Sequence, residues 1–308
     1  MKLFGLLLLD ACTALVTPPA LRRRDFIAGT AAVTSLAAPF PAAAAAAGPI
    51  TILGASGRTG ALCVVSCLKR GVAVRALTRS GECPDGIDPA SPGLTVGKCD
   101  VREASSIAAG VAGSSGVVYA ASASKKGGNA KLIDNLAVVA AAEACLANKV
   151  PRYAVVSSTA VTRPASLGYK FTNVLGGIMD EKKLGEDGVK RLYAADGSAS
   201  SYVIVRPGGL EETDKVVGVG GLEISQGDAL AGIINRADLG EAMVEIMLSD
   251  APGLRDCTLE IYGTEKAQAC EGRFKPLLKD GSIARLHGES WKELLRDVKQ
   301  DGDYFVPA

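Results

Sequence analysis

Histidine occurs once in the 308 residues, at position 287, and tryptophan once, at 291. A solitary histidine cannot build a His-based metal cluster, and its place in the tail argues against catalysis, so no metal is expected. Aromatic residues make up only 5% of the chain. Surplus charge is also missing: 34 basic side chains stand against 33 acidic ones, which gives no bulk reason to expect nucleic acid as a partner. No internal repeat, heptad pattern, calcium loop or Walker loop rises above chance. What is abundant is small and apolar. Glycine occurs 36 times, alanine is heavy throughout, and 48% of residues are hydrophobic, which excludes intrinsic disorder by composition.

The apolar weight is uneven. Residues 1–21 place one lysine before a short leucine run that meets Pro18 and Pro19, the order of a secretory signal and too short to span a bilayer comfortably. Three arginines at 22–24 then precede an alanine-rich stretch, and Arg23-Arg24-Asp25-Phe26-Ile27 resembles a twin-arginine export signal. Two stacked signals resemble the bipartite leader of plastid proteins, with delivery to the thylakoid lumen or stroma; a bacterial periplasm is the alternative. Processing is expected just before Gly48 or Pro49. That divides the chain into a leader at 1–48, a compact domain at 49–262 and a helical extension at 263–308, with no transmembrane segment in the mature form.

The domain opens on an apolar strand, Ile50 to Leu53, that runs into glycines at 54, 57 and 60. An apolar-periodic helix from Ala61 to Leu68 follows, closed by Lys69-Arg70-Gly71, and a second strand runs from Val72 to Leu77. Strand, glycine turn, helix and strand in this order begin a doubly wound parallel sheet. Gly54 permits the tight turn, Gly57 lets backbone approach a pyrophosphate, and Gly60 lets helix and strand pack closely. The helix N-terminus then offers free N–H groups to phosphate. Dinucleotide binding is the expectation. An NAD site usually ends the second strand with an acidic residue, but here Thr78-Arg79-Ser80 stand instead. Arg79 can meet a 2′-phosphate with its donor fork and Arg58 can assist, so NADP(H) is preferred over NAD.

Further strands are expected at Gly93–Gly97, Gly116–Ala121, Arg152–Ser157 and Ser201–Val205, with helices at Glu103–Val111, Lys131–Asn148 and Met179–Ala194. Ligands gather at the carboxyl ends of such strands. The cofactor-binding set is therefore Gly54, Ser56, Gly57, Arg58, Thr59, Gly60, Arg79, Asp100, Val101, Ala121, Ser122, Lys182 and Pro207. Asp100 and Val101 fall toward the adenine, Ser122 toward the nicotinamide.

The segments LGASGRTG (53–60), LTRS (77–80), CDV (99–101), IDNLAVVAAAEA (133–144), YAVVSS (153–158), YVIVRPGGL (202–210) and INRADLGEAMVEIM (234–247) occur in a telling order. Together they resemble the atypical, extended short-chain dehydrogenase/reductase superfamily, in its NmrA-like group of NAD(P)-binding domain proteins. The resemblance implies a Rossmann-like sheet with a small C-terminal substrate lobe, and NADP across Gly54 to Gly60. Where active relatives carry Tyr-x-x-x-Lys, this chain has Ile178 and Lys182: the lysine matches and the tyrosine is missing. Carbonyl reduction needs a proton as well as a hydride. Ser157 or Ser158 can donate a hydrogen bond, Lys182 can bind the ribose or act as the acid, and Tyr169 and Tyr193 are conceivable substitutes. The implied activity is hydride transfer between NADPH and a small carbonyl, enone, quinone or flavin-like substrate. The alternative is a non-catalytic NADP(H)-binding redox sensor or scaffold.

The remaining third says less. Asp238 is the expected cap of a helix at Leu239–Leu248, with Arg236 as its partner. Trp291, Leu294, Leu295 and Val298 fall at helical spacing, so this tail packs on the domain or on a protein partner. Cys63 and Cys67 read as small buried hydrophobes, and Cys83 with Cys99 as a conceivable redox pair.

Overall fold

A computed structural model describes residues 48–123, 128–174, 176–213, 216–269 and 285–302. The two export segments and Cys270 lie outside the described residues.

The chain forms β1 (Ile50–Leu53), α1 (Arg58–Lys69), β2 (Val74–Thr78), β3 (Leu94–Lys98), α2 (Ala104–Val111) and β4 (Gly116–Tyr119). A π-helical turn, Lys131–Leu136, leads into α3 (Ala137–Ala147), followed by β5 (Arg152–Val156), α4 (Leu167–Asn173), α5 (Ile178–Asp196) and β6 (Ser201–Pro207). Then come β7 (Gly209–Glu211), β8 (Leu222–Ser225), β9 (Leu230–Ala231), β10 (Ile233–Asn235), α6 (Arg236–Leu248), β11 (Cys257–Gly263), β12 (Gln268–Ala269), β13 (Arg285–Leu286) and α7 (Trp291–Arg296).

Nine strands build the main sheet in the order β13-β8-β11-β6-β5-β4-β1-β2-β3. From β3 to β11 neighbours are parallel, while β8 and β13 add an antiparallel edge. All residues of β1 and β6 are buried, as strands covered on both faces must be, which is why both are predominantly apolar apart from Thr51, Ser201 and Arg206. One face packs Cys63, Val64 and Cys67 of α1 with Leu239, Ala242 and Met243 of α6. The other packs Ile107 and Val111 of α2, the alanines of α3 and Val189 of α5. The architecture is thus α/β, Rossmann-like and doubly wound. Among the described residues no helix is long and apolar enough to cross a membrane.

Several local readings are corrected. The helix expected from Ala61 starts at Arg58, so the glycine turn supplies its first turn. The stretch from Lys131 is not uniform α-helix, because its first six residues are π-helical. Asn235, not Asp238, caps α6, accepting from the Ala237 N–H at 2.8 Å. Asp238 is buried and accepts from the N–H groups of Val217 (3.1 Å) and Gly218 (3.0 Å), holding the loop before β8. Beyond residue 262 the chain supplies strand as well as helix, since β13 joins the sheet edge. The apolar face of the tail is spent on the domain: Leu294, Leu295 and Val298 are buried in the α1/α6 core. Cys63 and Cys67 are free, and burial pushes both thiols up, Cys67 to about 12. Cys83 and Cys99 are free thiols too, each raised chiefly by burial.

Candidate functional site

The carboxyl ends of β1 and β4, neighbours whose connections leave in opposite directions, open the crevice where such sheets bind ligands. Gly54 ends β1 at φ +83°, and a Cβ there would lie 2.8 Å from the backbone nitrogen of Ala121 beyond β4. A Cβ on Gly57 would press the Gly54 carbonyl oxygen at 3.0 Å, and one on Gly60 would strike it at 2.3 Å. Gly57 also caps α1. That helix has no side-chain cap and no acidic residue in its first turn, so its positive end faces the crevice uncompensated from within. Ser56 is exposed, and Thr59 and Gly60 are buried. The three glycines thus form a cradle too tight for side chains around a helix N-terminus, which fits a dinucleotide phosphate.

At one end of the crevice Arg79 follows directly on β2, exposed, where an acidic residue would read an unphosphorylated ribose. Asp100 follows β3. Bonds from the Arg102 side chain, first, and its N–H hold this carboxyl down to about 2, and Arg79 contributes from nearby. Val101 is half-buried beside it. Arg58, expected to assist Arg79, has its guanidinium on Glu212 at 2.6 Å.

At the other end the decisive group is one the sequence reading missed. Asp134, buried on the π-helical turn, accepts from the Ser122 hydroxyl at 2.6 Å and the Ala123 N–H at 2.8 Å. It also pairs with Lys182 Nζ of α5 at 2.8 Å. Gly185 makes this possible, since a Cβ there would lie 2.5 Å from the Asp134 carbonyl oxygen, so α5 rests directly on the π-helical backbone. Lys182, Asp134, Ser157, Glu186 and Ala121 line one small cavity.

Ser157 is buried in the lining of the same small cavity and donates to Glu186 Oε1 at 2.5 Å. Ser158 donates to the Thr159 carbonyl at 3.1 Å. Glu186 receives Arg206 Nε (3.0 Å) and Nη2 (2.6 Å), and Arg206 Nη1 reaches Glu260 at 3.2 Å. Pro207 is buried and its carbonyl accepts from Thr159 N–H at 3.1 Å, shaping the loop after β5.

The two substitute tyrosines lie on α4 and α5. Tyr169 donates to Asp180, and burial first, then Asp180, raise its phenol to about 12. Tyr193 lies eleven residues beyond Lys182 on α5, about 16 Å along the helix axis. Its buried ring stacks edge-on against Tyr202, and burial pushes its phenol up. Ile178, four residues before Lys182, is buried in a satellite core with Tyr169 and Met179. Among the described residues no group of three or more His, Cys, Asp or Glu side chains could hold a metal ion.

A family model described as NAD(P)H-binding matches residues 54–250. Of solved structures, the oxidoreductase ylbE from Lactococcus lactis is similar, with 17% identity and a TM-score of 0.57, over 70% of this chain and 90% of that one. A short-chain dehydrogenase/reductase from Veillonella parvula in complex with NADP has 14% identity and a TM-score of 0.55, over 70% and 94%. ChuY, an anaerobillin reductase from Escherichia coli O157:H7, has 23% identity and a TM-score of 0.55, over 74% and 99%. At these identities the likeness is one of fold. No curated protein matches.

Proposed function

The chain belongs to the NAD(P)H-binding family, and from that premise we propose that it is an NADP(H)-dependent oxidoreductase acting on a small carbonyl, enone, quinone or flavin-like substrate. The observation that carries this reading is the Lys182–Asp134 pair beside the end of β4. The nicotinamide, when bound, supplies or accepts a hydride. Lys182 holds a proton at Nζ and can bind the ribose hydroxyls, while Asp134 fixes the ammonium and, through Ser122 and Ala123, the loop beneath it. Glu186 and Arg206 brace Ser157, keeping the end of β5 rigid against the cavity. Arg79 supports NADP(H) over NAD(H) because its fork matches a phosphate. The NmrA-like kinship rests on the motifs at 53–60, 133–144 and 202–210.

One observation favours a second reading, a non-catalytic NADP(H)-binding sensor or scaffold: Ile178 stands where a phenol would deliver the proton, Tyr169 donates to Asp180, and Tyr193 lies eleven residues beyond Lys182 on α5. Incubating the protein and its Lys182→Ala variant with NADPH and a panel of quinones, enones, carbonyls and flavins separates the two. Oxidation that collapses in the variant supports the enzyme; binding without oxidation supports the sensor. The double leader supports delivery to a plastid, in lumen or stroma, with the periplasm as alternative. N-terminal sequencing of the mature protein tests this, and a retained Arg23 would overturn it.

A further inference from the structure

Three charged side chains from distant parts of the chain meet over the first turn of α1. Arg58, its first residue, donates from Nη1 to Glu212 Oε1 at 2.6 Å. Arg236, the first residue of α6, donates from Nε to the same oxygen at 2.7 Å and from Nη1 to Thr59 Oγ1 at 3.1 Å. Arg236 is held firmly: its side chain is 11% exposed, and Gly240 seats α6 on α1, where a Cβ would lie 2.8 Å from that of Leu62. Glu212 is held loosely. It lies on the segment after β7, its side chain is 36% exposed, and both contacts use one oxygen.

The electrostatic balance is lopsided. Two guanidinium groups and the positive end of α1 share a single carboxylate. Burial first, then Arg58, work against the charge on Arg236, and Glu212 offsets them. Such a constellation accepts an anion with more charge and more acceptor oxygens than one carboxylate offers.

We propose that Arg236 is a ligand of the dinucleotide pyrophosphate and that Glu212 is an internal anion, occupying Arg58 and Arg236 until the pyrophosphate displaces it. The inference rests on the NADP(H)-binding reading and adds a residue from the C-terminal third to the phosphate site. Displacement would release the Glu212 carboxylate from both guanidinium groups. Self-competition of this kind weakens apparent affinity by the fraction of molecules in which the carboxylate is seated.

The test is NADPH binding, followed by nucleotide fluorescence and calorimetry on the full chain, with circular dichroism to establish that each variant folds. Glu212→Gln is expected to bind NADPH about fivefold more tightly than wild type, the scale of one part-exposed ion pair. Arg236→Gln is expected to bind about tenfold or more weakly, as loss of one charge-assisted phosphate contact implies. The gain from Glu212→Gln should vanish in the Arg236→Gln background. Glu143→Gln, on the exposed side of α3, removes the same charge elsewhere and should leave affinity unchanged. If wild type binds and Glu212→Gln is no tighter, or Glu143→Gln gains equally, the inference falls while the nucleotide reading stands. If wild type binds neither NADPH nor NADP, the nucleotide reading falls and takes the inference with it.

Discussion

Lys182 Nζ stands 2.8 Å from Asp134 Oδ1, tying α5 to the π-helical turn that follows β4. Both side chains are largely removed from water, Asp134 wholly so and Lys182 at 11% exposure. Removing one member of a buried pair leaves the other charge uncompensated, at a cost of about 3 kcal/mol or more, while removing both costs much less. Lys182→Met should therefore lower stability by about 3 kcal/mol in urea unfolding. The double variant Asp134→Asn/Lys182→Met should recover most of that loss. Additive losses would show that the two side chains are not energetically joined.

Arg79 offers a prediction at the opposite end of the crevice. A guanidinium bonded to a phosphate contributes about 1.5–3 kcal/mol, so Arg79→Ala should weaken NADPH binding by about ten- to a hundredfold. Affinity for NADH should scarcely change. Equal losses for both nucleotides would place Arg79 away from the 2′-phosphate.

The glycine turn was legible in the sequence because it rests on local spacing, glycines at 54, 57 and 60 between strand and helix, and Lys182 through its match to the lysine of the family pattern Tyr-x-x-x-Lys. Asp134 was not. It sits in Lys131–Leu136, which reads as the opening of one uniform helix, whereas these six residues are π-helical and their one carboxylate is buried. The chain Ser157–Glu186–Arg206–Glu260 was equally hidden, since its members come from the end of β5, α5, β6 and β11 and meet only when the sheet assembles. A buried strand carrying Arg206 amid apolar neighbours was the available signal, because such a charge needs a partner. Arg236 was noticed but paired with the wrong acid, as sequence proximity to Asp238 outweighed a contact across the fold with Glu212.

Gly60 and Gly168 both lie in helices and should respond oppositely to alanine. At Gly60 the new Cβ would stand 2.3 Å from a backbone oxygen that cannot move without opening the turn. A loss of about 1–3 kcal/mol and a failure to bind NADPH are expected. At Gly168, in α4, nothing lies within 4 Å, so alanine should stabilise by about 0.5–1 kcal/mol through helix propensity alone. Thermal unfolding of the two variants with and without NADPH checks both; a harmless Gly60→Ala would remove the close-packing argument.

Glu260 sets the pH dependence. It is fully buried beside Arg206 and near Asp228, and burial outweighs the attraction of Arg206, pushing its carboxyl from 4.5 up to about 8. Glu186 bonds the same guanidinium with two oxygens, so Arg206 is already largely neutralised from the other side. A group whose folded pKa lies above its unfolded one takes up a proton on folding. Its contribution is fully present below about 4.5 and is lost as pH rises toward 8, at up to about 1.4 kcal/mol per pH unit. Asp100, held down to about 2, titrates below this window and does not obscure it. Stability measured by urea unfolding should thus fall between pH 6 and 8. Glu260→Gln, which stays neutral while keeping an acceptor for Arg206, should flatten that fall. A slope unchanged in the variant would assign the proton to another buried acid, with Asp238 and Asp256, both raised by burial, as the next to substitute.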